Sequence, residues 1–195
     1  MDIKAKINFI SEIDRLKSVL RQTLNYHENR RENVAEHSWH LAMAVLQLHN
    51  YANEPVDVFR SVKMALVHDV VEIDAGDTFI YADVANKREL ESRAAERIFG
   101  LLPEGDASEF KGLWFEFEEN KTPESKFVRA LDRFLPLYSN ILSRGYSWKN
   151  HGITSDQIIA KNKSIICKGS LSLWAFAENT LDELMPNFAS NPWLN

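Results

Sequence analysis

The sequence contains the stretch Lys63-Met64-Ala65-Leu66-Val67-His68-Asp69-Val70-Val71-Glu72, which has the composition of a helix interior and yet carries two metal-ligand residue types side by side. The apolar pattern Val62, Leu66 and Ile73 continues through Asp69 at helical spacing, so the carboxylate falls on the face that a helix turns to the core. A buried ionised carboxylate is normally paired, protonated or bound to a metal. The stretch therefore predicts a helix that contributes to a metal site.

Two further ionisable residues interrupt apolar helical faces far from this stretch. His37 lies on the pattern Val34, His37, Leu41, Val45, Leu48, and Asp132 lies on the pattern Val128, Asp132, Leu135. Helical bundles build metal sites from side chains on facing helices. The sequence therefore predicts one metal site with the ligands His37, His68, Asp69 and Asp132.

Each candidate also has a structural interpretation. A single histidine on an apolar face is often a hydrogen-bonded core residue. Asp69 and Asp132 could be buried ion pairs or helix caps, and Arg129 and Arg133 flank Asp132 as candidate partners. His40 is a candidate fifth ligand, or else a residue that supports the ligands or lies at the surface.

The ligand set restricts the metal. Two imidazoles and two carboxylates suit a divalent transition ion, which would be Mn, Co, Fe, Ni or Zn, better than they suit Ca. Four protein ligands leave coordination positions for water and a phosphate oxygen, so the ion can act as a Lewis acid, as a water activator or as both.

The bulk properties are those of one ordinary globular domain, which we expect to span residues 1–195. The net charge of −5 offers no electrostatic surface for a nucleic-acid polymer or an anionic membrane, although a small anion can still bind locally. Cys167 is the only cysteine, and no stretch has eighteen consecutive apolar residues. The amino-terminal residues are amphipathic and unlike a signal peptide, so a cytoplasmic protein without membrane partners is expected.

The remaining patterns predict an all-α fold, because no sustained alternation of apolar and polar residues occurs. A first helix is expected over residues 9–20, a loop over 25–33 and a second helix over 34–51. Pro55 is expected to open the third helix and Gly76 to close it. The later expectations are a fourth helix over 90–101, a short aromatic fifth over 110–117, a sixth from Thr122-Pro123 to Gly145, a seventh capped by Thr154 and Gln157, and an eighth over 171–184.

The order of the four ligands resembles the H...HD...D signature of the HD-domain metal-dependent phosphohydrolases. Three blocks, over residues 31–38, 68–77 and 125–132, look like those of the 5'-deoxynucleotidase branch of this family. The likeness covers about residues 15–165, and a last helix follows at about 170–185. It implies a single-domain helical bundle of the HD type. No histidine lies between His68 and His151, which favours one metal ion over the two-metal HD phosphodiesterases.

Several further residues are candidates for catalysis and substrate binding. Glu72 falls on the same side of a helix as His68 and Asp69, which suits a general acid or base, although a solvated surface acid is the alternative. By resemblance, Asp77 takes part in the active site, Asp77 and Thr78 contact the substrate sugar, and Arg21, at the end of the first helix, orients the phosphate. Gln22 stands where the branch has Trp, which bears on selectivity for the sugar and base.

The function that these features predict is hydrolysis of nucleoside 5'-monophosphates, deoxyribonucleotides first, by water that the metal activates. The alternatives are hydrolysis of another small phosphate ester and a nucleotide-sensing protein that binds metal without turnover. The expected partner is a small nucleotide. Relatives in the branch are dimers, so a homodimer is also considered, with an apolar interface at Trp114, Phe115 and Phe117.

Overall fold

Helices build nearly all of the computed structural model, which describes residues 3–25, 30–77 and 86–184. The expected all-α class is therefore confirmed. The helices are α1 Ile3–Ile13, α2 Val34–Leu48, α3 Val58–Val67, α4 Glu72–Ala75, α5 Lys87–Phe99, α6 Glu104–Glu119, α7 Pro123–Leu142, α8 Tyr146–Asn150, α9 Ser155–Gly169 and α10 Leu171–Leu184.

Helix α7 lies at the centre of the fold and packs against α2, α3, α6, α9 and α10. Its buried face includes Phe127, Val128, Leu131 and Ile141, which are all fully buried. Thr122 starts the helix with the expected cap, because its hydroxyl accepts the backbone N–H of the third helical residue. This central helix carries Asp132.

The caps that the sequence predicted at the other late helices are also confirmed. Thr154 accepts the N–H of Gln157 at the start of α9, and the Gln157 side chain accepts the N–H of Thr154 in return. Helix α10 covers the expected residues. Capping depends on a few neighbouring residues, which is why these helix starts can be located from sequence.

The amino-terminal region differs from the expected long helix and loop. Helix α1 ends at Ile13, and a 3-10 turn over Asp14–Ser18 leads into an antiparallel hairpin, β1 Leu20–Asn25 and β2 Arg30–Asn33. The placement of Arg21 at a helix end is therefore wrong, because this residue lies in β1. The hairpin register is irregular between Leu20 and Leu24, and all but the first residue of β1 are half-buried, so no alternating pattern marks the strand.

The stretch that contains His68 and Asp69 is not the middle of a regular helix. Helix α3 ends at Val67. The turns that follow are closed by backbone hydrogen bonds between residues three apart, such as Val70 N–H to Val67 O and Glu72 N–H to Asp69 O. The smaller turn changes which side chains face inward. Leu66 is consequently exposed rather than part of the predicted buried face, whereas His68 and Glu72 are buried.

Other helix boundaries also differ from the expectations. Asp57, not Pro55, opens the third helix, because its carboxylate accepts the N–H of Arg60. Helix α6 is sixteen residues long instead of short. Helix α7 ends before Gly145, which precedes the unpredicted α8 with a φ of 73°. Gly76 does close α4, with a φ of 74° that a side chain would disfavour.

None of the helices in the described parts of the chain is both long and apolar enough to cross a membrane.

Candidate metal centre and substrate cavity

Four side chains from three separate parts of the chain converge on one point. One ligand atom from each of His37, His68, Asp69 and Asp132 can be chosen so that all four lie within 4.8 Å of one another. Helix α2 supplies His37, the turn after α3 supplies His68 and Asp69, and α7 supplies Asp132. The structure therefore brings together all four residues that the sequence predicted as metal ligands.

The distances between these atoms fit a shared ion. His37 Nε2 lies 3.0 Å from Asp132 Oδ1, and His68 Nε2 lies 3.0 Å from Asp69 Oδ2. The cross distances, His37 Nε2 to Asp69 and His68 Nε2 to Asp132, are 4.0 and 3.8 Å. Ligands about 2.1 Å from a metal lie about 3 Å apart at right angles and about 4.2 Å apart when opposite. The cluster could therefore hold one transition ion.

His68 is oriented for coordination. Its Nδ1 lies 2.8 Å from the backbone oxygen of Ala65, a hydrogen bond that requires Nδ1 to carry the proton and leaves Nε2 as the coordinating nitrogen. Nε2 is buried and forms no hydrogen bond with any described residue, despite its closeness to Asp69. The edge of the ring packs against Phe117, with the centroids 4.9 Å apart. A buried imidazole nitrogen that has no hydrogen-bond partner is chemically suited to be a metal ligand.

His37 is positioned by the start of α2. Asn33 and Glu36 cap this helix reciprocally, with both hydrogen bonds at 3.0 Å, and His37 follows directly. The ring is fully buried. Its Nδ1 lies 3.6 Å from the carboxylate of Glu32, so a carboxylate stands behind the imidazole as in many metal sites.

The charges of the cluster stabilise one another. Burial lowers the pKa of His68, but the carboxylates of Asp69 and Asp132 outweigh burial and raise this pKa to about 10. Burial opposes ionisation of Asp69, but the charges of His68 and Arg21 hold the pKa of this carboxyl below its usual range. The pKa of Asp132 is likewise held low, against its burial, by the hydrogen bond with His37 and by the nearby imidazole of His68. Both carboxylates are thus ionised and available to a cation.

The alternative roles of these residues are found only in part among the described residues: Asp69 does form a buried ion pair with Arg21, but the arginines that flank Asp132 do not pair with it. Arg129 donates to the Phe117 backbone oxygen and to Glu118, and neither Arg129 nor Arg133 pairs with Asp132. His40 lies outside the cluster, on a separate groove between α2 and α7. It is not in position to be a fifth ligand.

A cavity of about 320 Å³ opens onto the cluster. His68, Asp69 and Asp132 form part of its wall. The other charged residues that line it are Arg21, Glu72, Asp77, Lys87, Glu91, Glu118, Arg129 and Arg133. Its size falls at the lower end of the range of ligand cavities, about 300–1,000 Å³. A small ligand fits this volume, in keeping with the expectation of a small-molecule partner.

Arg21 reaches the cluster from β1. Its Nη1 donates to Asp69 Oδ2 at 2.9 Å and lies 3.9 Å from Asp77, while its Nε lies 3.4 Å from Glu32. Burial would lower the pKa of Arg21, but the surrounding carboxylates, Asp69 first, raise it. The guanidinium is therefore charged and held against a candidate metal ligand.

Glu72 and Asp77 line the cavity beside Arg21. Burial, reinforced by the charge of Asp69, raises the pKa of Glu72 to about 10, and its Oε2 has no hydrogen-bond partner among the described residues. Burial also raises the pKa of Asp77, against the opposing charge of Arg21. The surface interpretation of Glu72 is wrong, because only 7% of this residue is exposed.

Gln22 follows Arg21 and also lines the cavity. Its backbone N–H donates to the carboxylate of Asp77, and its side-chain oxygen accepts from Arg31. Thr78, the second predicted sugar contact, lies outside the described residues. Trp114 and Phe117 line the cavity and are almost fully buried, so they do not form the predicted interface; Phe115 alone of the three is exposed.

Sequence reasoning missed three charged residues near the centre. Glu32 contacts both Arg21 and His37. Lys87 and Glu91 pair at 3.4 Å on the wall that α5 contributes. Glu91 had a visible signal, because it continues the buried face of Ala94, Ala95 and Ile98 at helical spacing, the same irregularity that identified the metal ligands.

Comparison with known proteins places the chain in a family. Residues 13–174 match the HD domain family, which is most of the chain. Together with the arrangement of His37, His68, Asp69 and Asp132, this match shows that the chain belongs to the HD domain family.

The chain is also similar to individual proteins named as 5'-deoxynucleotidases. The chain is 33% identical over 129 residues to the 5'-deoxynucleotidase HDDC2 of Danio rerio. The aligned region covers 65% of this chain and 63% of that protein. It is 30% identical over 136 residues to the 5'-deoxynucleotidase hdd1 of Schizosaccharomyces pombe, covering 66% and 67% of the two chains. The matched region thus spans slightly less than two thirds of the length of the Danio rerio relative.

Two solved structures share the fold. A predicted metal-dependent phosphohydrolase from Magnetospirillum magnetotacticum superposes with a TM-score of 0.88 at 47% identity, covering 93% of this chain and 92% of the other. The PH0347 protein of Pyrococcus horikoshii superposes with a TM-score of 0.62 at 24% identity, covering 91% and 97%. The second similarity concerns the fold alone.

Proposed function

We propose that this protein is a metal-dependent phosphohydrolase that removes phosphate from nucleoside 5'-monophosphates, with deoxyribonucleotides as the preferred substrates. The observation that carries the proposal is the convergence of His37, His68, Asp69 and Asp132 at the wall of a small cavity. The names of the relatives, 5'-deoxynucleotidases, support the substrate class.

The four converging residues would hold one divalent transition ion. Such an ion supplies a Lewis acid for a phosphate oxygen and lowers the pKa of a coordinated water. The protein supplies the geometry: the His68 imidazole is fixed by its hydrogen bond to Ala65, the His37 imidazole has the carboxylate of Glu32 behind it, and two carboxylates carry the charge to retain a dication.

Glu72 is the proposed proton carrier. Its buried carboxyl lines the cavity close to the cluster, and Oε2 is free to exchange a proton. With a dication held in the neighbouring cluster, the Glu72 carboxyl would have a lower pKa, closer to the range where it can both accept and donate a proton. Oε2 can then take a proton from the attacking water and return it to the leaving 5' oxygen as the P–O bond breaks.

Arg21 and Asp77 are the proposed substrate-positioning residues. The Arg21 guanidinium lies between Asp69 and Asp77, so a phosphate at the cluster would meet a fixed positive charge. Asp77 faces the cavity next to Gln22 and is placed to accept a hydrogen bond from a sugar hydroxyl. Thr78 remains a proposed sugar contact by resemblance.

Phosphate release from a panel of substrates tests the proposal. Chelator-treated protein would be assayed with and without Mn²⁺ or Co²⁺ on deoxyribonucleoside and ribonucleoside 5'-monophosphates, with p-nitrophenyl phosphate as a small ester that lacks a nucleoside. We expect metal-dependent hydrolysis that is fastest on deoxyribonucleotides. Hydrolysis of the simple ester alone would support a different phosphatase, and nucleotide binding without turnover would support a sensor.

A further inference from the structure

One face of helix α7 forms a wall of the cavity. The residues of α7 that line the cavity follow one another at spacings of four, three, one and three, which places them along one side of the helix. They are Arg129, Arg133, Pro136, Leu137 and Asn140. Arg133 follows directly after the candidate ligand Asp132. Both residues line the cavity, so the Arg133 side chain faces the same space as the metal cluster.

Arg133 differs from the other cations of this wall in having no ion pair with any residue in the described ranges. Arg21 pairs with Asp69 at 2.9 Å, Lys87 with Glu91 at 3.4 Å and Arg129 with Glu118 at 2.8 Å. The Nε of Arg133 is buried without a hydrogen-bond partner, as are the Nε atoms of Arg21 and Arg129, so the lack of an ion pair is what sets Arg133 apart. A buried donor without a partner is unfavourable, so a ligand that supplies an acceptor would restore the lost hydrogen bonding.

The charge balance of the cavity indicates which ligand this is. Arg21, Lys87 and Arg129 are each offset by a carboxylate, whereas no carboxylate among the described residues pairs with Arg133. A phosphate dianion can therefore meet the charge of Arg133 without displacing an existing ion pair. A planar guanidinium suits this purpose, since it can donate two parallel hydrogen bonds to phosphate oxygens.

We infer that Arg133 binds the phosphate group of the substrate and of the inorganic phosphate product. This inference rests on the proposed phosphohydrolase function. Arg133 then adds to the charge that Arg21 presents to the phosphate: Arg21 is held by its hydrogen bond to Asp69, whereas Arg133 has an unpaired buried Nε to offer.

The test uses Arg133→Gln, which removes the charge, and Arg133→Lys, which keeps it. Arg93→Gln is the matched control, because Arg93 pairs with Glu89 on the exposed side of α5, away from the cavity. Metal-loaded proteins would be titrated with inorganic phosphate by calorimetry, and kcat and KM would be measured on dAMP. Metal content and Tm would be measured for every variant.

In Arg133→Gln we expect the phosphate Kd and the KM to rise about 10- to 100-fold, with a smaller change in kcat. Arg133→Lys should recover part of the loss, and Arg93→Gln should match the parent. A phosphate Kd within about twofold of the parent in Arg133→Gln overturns the inference, as does a lower Tm with unchanged Kd and KM, which is the mark of a structural role. Absence of phosphate binding to the parent overturns it as well.

The titration also separates this inference from the proposed function. If the parent binds phosphate through Arg133 but hydrolyses no nucleotide, the inference stands and the proposed reaction fails. If the parent hydrolyses nucleotides and Arg133→Gln binds phosphate normally, the reaction stands and the inference fails.

Discussion

Glu72 shows how burial changes what a carboxyl group can do. Its sequence position allows a surface acid as readily as a catalytic one, and only the tightened turn after α3 buries it in the cavity wall. Removal of its carboxyl should leave the four converging residues in place. We therefore expect Glu72→Gln to retain its metal and to lose about 10²- to 10⁴-fold in kcat.

Metal analysis and phosphate release from dAMP, measured on the same preparation, check this expectation. Turnover within a few-fold of the parent at equal metal content would refute the proton-carrying role of Glu72.

We expect His68 to release a proton when a metal ion binds. Because its pKa is raised to about 10 by Asp69 and Asp132, the metal-free imidazole is protonated near neutral pH. Coordination requires the neutral ring, so the incoming ion displaces about one proton from His68, and metal affinity should fall as the pH is lowered from about 10. Calorimetric titration near neutral pH in buffers of different ionisation enthalpy measures this release.

As a control, the same metal ion is titrated into a chelator in each buffer, which measures the protons that the hydrated ion itself exchanges with the buffer. A binding enthalpy that does not depend on the buffer, after that correction, would show that His68 is already neutral.

Gln22 bears on the choice between deoxyribose and ribose. Its backbone N–H donates to Asp77, and its side chain lines the cavity, so under the proposed function we expect a larger side chain here to pack against the substrate sugar. We expect Gln22 to give a loose preference for deoxyribose and acceptance of several bases. Gln22→Trp should increase the ratio of kcat/KM for dAMP over AMP by roughly 10- to 200-fold.

The two ratios are compared at equal metal content. An unchanged ratio would mean that residue 22 does not face the sugar.

Helix α7 depends on a close contact with α9. The last residue of α9, Gly169, lies so close to α7 that an added Cβ would overlap the Lys126 backbone oxygen and approach Ala130 Cβ to 2.6 Å. Backbone cannot move aside as a flexible side chain can. We expect Gly169→Ala to destabilise the protein by about 1–3 kcal/mol and to lower its Tm.

Gly112→Ala in α6 is the matched control, since a Cβ there meets nothing within 4 Å. It should be neutral or should stabilise the helix by about 0.5–1 kcal/mol. Equal Tm values for the two variants in thermal unfolding would contradict the close packing of α9 on α7.

The elements that sequence predicted well are those with local determinants. The caps at Thr122 and Thr154 involve residues three apart, so they can be read from the chain alone. The hairpin of β1 and β2 has no such determinant, because β1 gains its burial from α7 and α8, which come more than a hundred residues later. Arg21 was therefore placed in the wrong element, a helix end instead of a strand.

Across the whole molecule, the candidate metal ligands could be found because each interrupts an apolar face with a charge. His37 and Asp132 are ninety-five residues apart, and yet their ligand atoms lie 3.0 Å apart. Arg133 could not be identified from the sequence in this way, because an arginine next to Asp132 could equally be the ion-pair partner of that carboxylate. The structure distinguishes Arg133, because the other cations of the cavity wall are paired and Arg133 is not paired with any described residue.

The central claim is that these separated residues hold one ion. Elemental analysis of protein purified without chelator, for the parent and for His68→Ala and Asp132→Ala, tests it most directly. We predict roughly one equivalent of a divalent transition metal in the parent and loss of most of it in both variants, since each removes a ligand from a different part of the chain. Full retention of the metal in both variants would contradict the assignment.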